Sequence, residues 1–214
     1  MRFERSFQQP GGLPNDGAFA HFSSYELETK GSPFSHWTRG KTVARWKGVE
    51  LEEAAAKPEP VWHSLATSPN VEVLSKSPGG SFGLSVTIRR ARDTSPPNLT
   101  ALVKPLFDGI VASFHHHDGS DIQELSNRVS GTLGVEPSEI RRLLENGSRA
   151  VLGERTLLWR RAGGVQWNPG DDACVAGELL SDRTSGDASY SMSGEIFAVL
   201  PMRESNVVGG ISNA

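Results

Sequence analysis

Residues 95–118, SPPNLTALVKPLFDGIVASFHHHD, carry the longest amphipathic pattern in the chain. Leu99, Leu102, Val103, Leu106, Phe107, Ile110, Val111 and Phe114 recur at steps of three and four, which predicts a helix over 98–117 with one apolar face. Its other face carries Lys104, Asp108, Gly109 and Ser113. Ser95 or Asn98 is placed to cap it, and prolines are tolerated in a first turn. Pro105 removes one backbone hydrogen bond inside the pattern and predicts a kink.

Before this stretch the pattern changes to alternation. Residues 71–77 alternate, 77–80 form a turn, and 81–91 alternate again with Phe82, Leu84, Val86 and Ile88 on one face. Arg89, Arg90 and Arg92 close that strand on a cationic end. After it, residues 119–147 return to helical spacing in two segments. Ile122, Leu125, Val129 and Leu133 share a face that stops at Gly134, and Pro137 restarts a helix anchored by Ile140 and Leu143. That spacing is that of a helix-turn-helix. The C-terminal third is β again: a hairpin over 155–168 around Gly163-Gly164, a strand core at 173–180, and an alternating strand over 189–201. Residues 202–214 have the composition of a flexible tail.

Residues 1–60 are read as an irregular N-terminal segment. QQPGGLPNDG breaks any element, and 51–60 predict a short helix stopped by Pro58 and Pro60. The expected architecture is α+β: a single domain over 61–201 with a mixed, mostly antiparallel sheet. One long amphipathic helix packs that sheet, and 119–147 is a two-helix insertion. A chain of 214 residues is the size of one such domain, and 23 glycines with 13 prolines make it loop-rich.

A net charge of −3 gives no general pull toward nucleic acid or anionic membrane, so any nucleic-acid site must be a local basic patch. Cys174 is the only cysteine, which excludes an intramolecular disulfide and CxxC chemistry; in an apolar strand it reads as a small buried hydrophobe. No apolar run reaches a membrane span and the N-terminus lacks a signal-peptide core, so a cytoplasmic protein without a membrane partner is expected. No Ser-His-Asp order, P-loop or dinucleotide fingerprint is present.

Four features carry candidate chemistry. HWTRGKTVARWKG sets Arg39, Lys41, Arg45 and Lys47 beside Trp37 and Trp46. It reads either as an edge strand with snorkelling cations or as a surface that touches phosphates and stacks bases. The second helix of the 119–147 pair exposes Arg141 and Arg142 among Ser138, Glu139 and Glu145, a mixed face that either packs or reads DNA. His115, His116 and His117 with Asp118 and Asp121 resemble a metal cluster, but consecutive helical residues point about 100° apart and cannot share one ion. The other reading is a polar helix end that favours protonated histidine. Asp171-Asp172 follow Asn168-Pro169-Gly170, which is also strong turn chemistry.

The order strand, long amphipathic helix, acidic pair, closing strand resembles the RusA-like Holliday junction resolvase family. Leu102-Val103-Lys104 with Asp108 fits that family's helix motif. Trp167 to Asp172 followed by Ala173-Cys174-Val175 fits its later acidic pair and strand. Asn98-Leu99-Thr100 falls where the family opens its helix on two aspartates. The resemblance covers roughly 80–118 and 157–201. It implies a metal-dependent nuclease acting on branched DNA as a homodimer, with Asp108, Asp171 and Asp172 holding Mg²⁺ and Lys104 stabilising the transition state. Arg39, Lys41, Arg45, Lys47, Arg89, Arg90, Arg141 and Arg142 are the expected DNA contacts. Asn98 and Thr100 offer oxygen without charge, so the expected protein binds nucleic acid with nuclease activity weak or lost. The alternative is a non-catalytic protein-interaction or assembly subunit that keeps the fold.

Overall fold

A computed structural model describes residues 1–6, 22–26, 33–51, 57–90, 98–183 and 190–202. The elements, in chain order, begin with β1 (Arg2–Ser6), β2 (Phe22–Glu26), β3 (Trp37–Leu51), α1 (Pro58–Thr67), β4 (Val71–Val73) and β5 (Phe82–Arg90). They continue with α2 (Leu99–Ser113), β6 (His115–His117), α3 (Ile122–Leu133) and α4 (Pro137–Leu144). The last are β7 (Gly153–Arg155), β8 (Leu158–Arg161), β9 (Gly164–Trp167), β10 (Cys174–Arg183) and β11 (Tyr190–Pro201).

Alternation builds the central sheet. In β5, Phe82, Leu84, Val86 and Ile88 are at most 2% exposed, while Ser85, Thr87 and Arg89 face the other way. β11 lies antiparallel to it and sets Met192 and Ile196 on the same inner side. Seven strands form the sheet in the order β2-β1-β10-β5-β11-β3-β4. Within this sheet, among the described residues, only β10 and β5 run parallel, and the crossover between them contains α2. The result is the mixed, mostly antiparallel α+β sheet that the sequence pattern predicts.

α2 lays Leu106, Ile110, Val111 and Phe114 on the inner face, where Phe114 meets Trp46 with ring centroids 5.7 Å apart. α1 crosses α2 at Gly109, where a Cβ would lie 2.6 Å from both the Pro58 carbonyl oxygen and Val61. A second core joins α3, α4 and the β8–β9 ribbon to Trp62 of α1, whose ring packs tilted against Trp167 with centroids 5.5 Å apart. A smaller cluster around Phe34, Trp37 and Phe197 caps one end of the opposite sheet face.

Several expectations are corrected. The segment 1–60 is not irregular where it is described: β1, β2 and β3 are strands of the central sheet, and β3 escapes notice because bulges break its alternation. Pro58 opens a helix instead of stopping one, since a proline at N1 has no intrahelical hydrogen bond to lose; residues 52–56 lie outside the described residues. Strand β4 ends at Val73, well short of the alternation over 71–77. The long helix ends at Ser113, and the three histidines form β6, paired parallel with β7. Of the expected tail only Met202 is among the described residues. The helical pair, the hairpin at Gly163-Gly164 and the last two strands lie where the pattern puts them. Gly134 takes the left-handed conformation that ends α3.

Candidate functional site

Because α2 turns its apolar stripe to the sheet, Lys104 and Asp108 face away from the core, toward β1 and the turn before β10. Together with Arg5 and Asp171 they rim a cavity of about 190 Å³ floored by Phe3, Phe107 and Cys174. Lys104 Nζ donates to Asp108 Oδ2 and Oδ1 at 3.0 and 3.1 Å, an i,i+4 pair on the helix. Arg5 Nη2 donates to Asp171 Oδ2 at 3.2 Å, and Arg5 Nη1 to the Asp171 carbonyl at 2.6 Å. Each carboxylate on this rim therefore has its own cation.

Burial raises the Asp108 carboxyl above its ordinary range; Lys104 opposes that and the neighbouring Asp171 charge adds to it. Burial works against the Lys104 ammonium, but its bond to Asp108 and the charge behind it outweigh burial and raise its pKa. A carboxylate already held at 3.0 Å by an ammonium must give up that partner before it can ligate a hard cation.

Asp172 does not join this group. Its side chain is 88% exposed and reaches toward Arg155 Nη1 at 3.9 Å, beside a different hollow that includes His115. Asn98 is occupied as the N-cap of α2, its Oδ1 accepting from the backbone of Thr100 and Ala101. Among the described residues no three or more His, Cys, Asp or Glu side chains are placed to hold a metal ion. The carboxylates expected to hold Mg²⁺ thus do not fit that ion as they stand. Arg5, absent from the sequence reading, shares the inner side of β1 with Phe3; its partner lies far away in the chain, and only the alternation of Phe3 and Arg5 hinted at that placement.

The basic residues of β3 and β5 meet elsewhere, on the sheet face opposite α2. A groove of about 760 Å³ runs there between β3, β4, β5 and β11, lined by Arg45, Lys47, Asn70, Thr87, Arg89 and Ser193 among others. Arg45 pairs with Glu72 at 2.7 Å. Lys47 and Arg89 meet no carboxylate among the described residues. At the groove's end Glu195 accepts from Arg39 and from Thr42 Oγ1, and Arg39 lies 4.2 Å from the centroid of the Phe197 ring.

Other expected contacts separate from this groove. Lys41 is exposed on β3 but does not line it. Arg90 is only 5% exposed and turns to the inner side, so its neighbour Arg89 alone serves the groove. Trp37 and Trp46 are both buried, which removes base-stacking rings from the basic run. Arg141 and Arg142 stand outside on α4, facing Glu145 at 3.1 Å and Glu139 at 4.0 Å.

The histidines are held by backbone pairing. His115 Nδ1 meets the Gly153 carbonyl at 3.1 Å, His116 Nε2 meets Glu154 at 2.8 Å, and His117 Nδ1 accepts from the Gly119 amide at 2.9 Å. Among the described residues no helix is long and apolar enough to cross a membrane. Comparison with models of protein families, with curated proteins and with solved structures finds no match.

Proposed function

We propose that this chain is a RusA-like nucleic-acid-binding protein that has lost metal-dependent hydrolysis. The observation that carries the binding half is the groove opposite α2. Lys47 and Arg89 line it without carboxylate partners among the described residues, beside Asn70, Thr87 and Ser193, while Glu72 and Glu195, which also line it, are held by Arg45 and Arg39. Unneutralised cations flanked by hydroxyl and amide donors suit phosphate oxygens, and such contacts bind any sequence. The lost hydrolysis rests on the rim of the α2 cavity, where Lys104 and Arg5 occupy the two carboxylates that a cation would need.

Fluorescence anisotropy with a four-way junction, a duplex and a single strand, at low and moderate salt and with and without Mg²⁺, tests both halves. Binding that weakens steeply with salt, with uncut DNA in Mg²⁺, is expected. The Lys47→Ala/Arg89→Ala pair should lower affinity about tenfold and reduce the salt slope by about one per cation removed. No binding at low salt refutes the binding half; cleavage in Mg²⁺ refutes the other.

The second reading, a non-catalytic interaction subunit, is favoured by the short edge strand β4. Val73 and the adjoining Leu74 are 37% and 46% exposed at the border of the sheet. Self-association or a co-purifying subunit lost on Leu74→Lys would support it.

A further inference from the structure

The β8–β9 ribbon has two unlike faces. Leu158, Val165 and Trp167 pack inward on α1 and α3. Trp159 and its cross-strand partner Gln166 point outward, and Arg161 follows on the same side as Trp159. Trp159 is 49% exposed, an unusual position for so large an apolar ring. The other four tryptophans of the chain are buried or partly buried.

The ribbon is braced from behind. Arg128 Nη1 donates to the carbonyls of Arg161 at 2.7 Å and Gly164 at 2.8 Å, gripping both strands near the turn. Arg160 is tied to Asp121 at 2.9 Å and to Glu124 at 3.0 Å. Arg161 meets no carboxylate among the described residues, and residues 155–170 contain three arginines and no acid. The outer face therefore presents one aromatic ring, Trp159, and one cation without a carboxylate partner among the described residues, Arg161.

We propose that this outer face is a stacking platform for single-stranded nucleic acid, with Trp159 under a base and Arg161 on the neighbouring phosphate. This rests on the nucleic-acid reading above and adds a second contact, on another part of the surface, that selects unpaired bases. The chemistry favours that occupant. A protein hot spot needs a ring seated among other apolar groups that exclude water, and here Trp159 has Arg161 and Gln166 at its sides. A base needs only one π-face and a cation for its phosphate, and it stacks whatever its identity.

The test is tryptophan fluorescence of the full chain titrated with a single-stranded oligonucleotide, with a duplex of the same length, and with inorganic polyphosphate. Trp159 is the accessible reporter. Quenching by the single strand beyond that by duplex or polyphosphate is expected. Trp159→Ala should lower single-strand affinity about tenfold or more, Trp159→Phe should restore most of it, and Arg161→Ala should weaken binding of strand and polyphosphate alike. Equal quenching by polyphosphate, or wild-type affinity in Trp159→Ala, overturns the platform while the groove reading stands. Failure of the wild-type chain to bind any oligonucleotide overturns both. Trp159 contributes to no core cluster, so circular dichroism of the variants should match wild type.

Discussion

The His115 imidazole makes the folded chain sensitive to mild acid, and the size of that effect follows from its surroundings. Burial pushes its pKa down from 6.5 to about 4, the nearby Arg155 pushes the same way, and the hydrogen bond to the Gly153 carbonyl opposes both without prevailing. That carbonyl can only accept, so neutral His115 carries its proton on Nδ1; Nε2 is buried with no partner among the described residues. Protonation would place a second N–H, and a full charge, where nothing accepts them. A group whose folded pKa is depressed contributes stability that is complete above its unfolded pKa and is lost as pH falls toward the folded one. The window here runs from 6.5 down to about 4. At about 1.4 kcal/mol per pH unit the limit is about 3 kcal/mol, and partial exposure of the ring reduces it to about 2 kcal/mol. His115→Asn keeps a donor near Nδ1 but does not titrate. Urea unfolding of both proteins at intervals between pH 7.5 and 4.5 should show wild type losing about 2 kcal/mol more than the variant. A wild-type-minus-variant difference that stays flat, or an NMR titration of His115 with its midpoint near 6.5, refutes the reasoning.

Gly109→Ala places a methyl group against the Pro58 carbonyl at the α1–α2 crossing and should cost about 2 kcal/mol, read as a fall in Tm of about 4–8 °C. Lys104→Met strips Asp108 of its cation and should raise that carboxyl's pKa further by NMR. It should change stability at neutral pH by less than about 1 kcal/mol, because the lysine is 72% exposed. Phe114→Ala opens a void beneath Trp46 and should destabilise by about 3–5 kcal/mol in urea unfolding, with altered tryptophan emission.

What the sequence revealed and what it hid divide by the range of the forces involved. β5 and β11 are legible because one face is core and the other is polar along their length, so alternation survives. α3 and α4 are legible because Gly134 and Pro137 act locally at their ends. β3 is not, since its register to β11 shifts three times and each shift interrupts the period. The histidines continue an apparently helical run, yet their conformation is set by pairing with Gly153–Arg155, a segment that helical periodicity does not consider. Within the cavity Lys104 and Asp108 follow from helix spacing, whereas Arg5 meets Asp171 across 166 residues of chain.

The same distinction governs the two adjacent aspartates. A pair consecutive in sequence promises a pair in space, but Asp171–Ala173 is a tight 3-10 turn, and its two acids leave on different sides. Gly170, with φ of +74°, permits the turn, and a Cβ there would run into the Arg155 guanidinium that approaches Asp172. Asp171 is thereby delivered to Arg5 and the α2 cavity, and Asp172 to Arg155. With Asp108 held by Lys104, each acid of the resembled motif faces a different cation. To gather them on one metal, the turn would have to reverse one side chain and three ion pairs would have to open. Charge available to an external anion therefore lies elsewhere, at Lys47 and Arg89 across the sheet and at Arg161 on the ribbon. On the nucleic-acid reading proposed above, this separation predicts that substitutions at Asp108, Asp171 or Asp172 shift stability while leaving nucleic-acid affinity nearly unchanged. Loss of affinity in all three variants, with their folds intact by circular dichroism, would return the binding site to the α2 cavity.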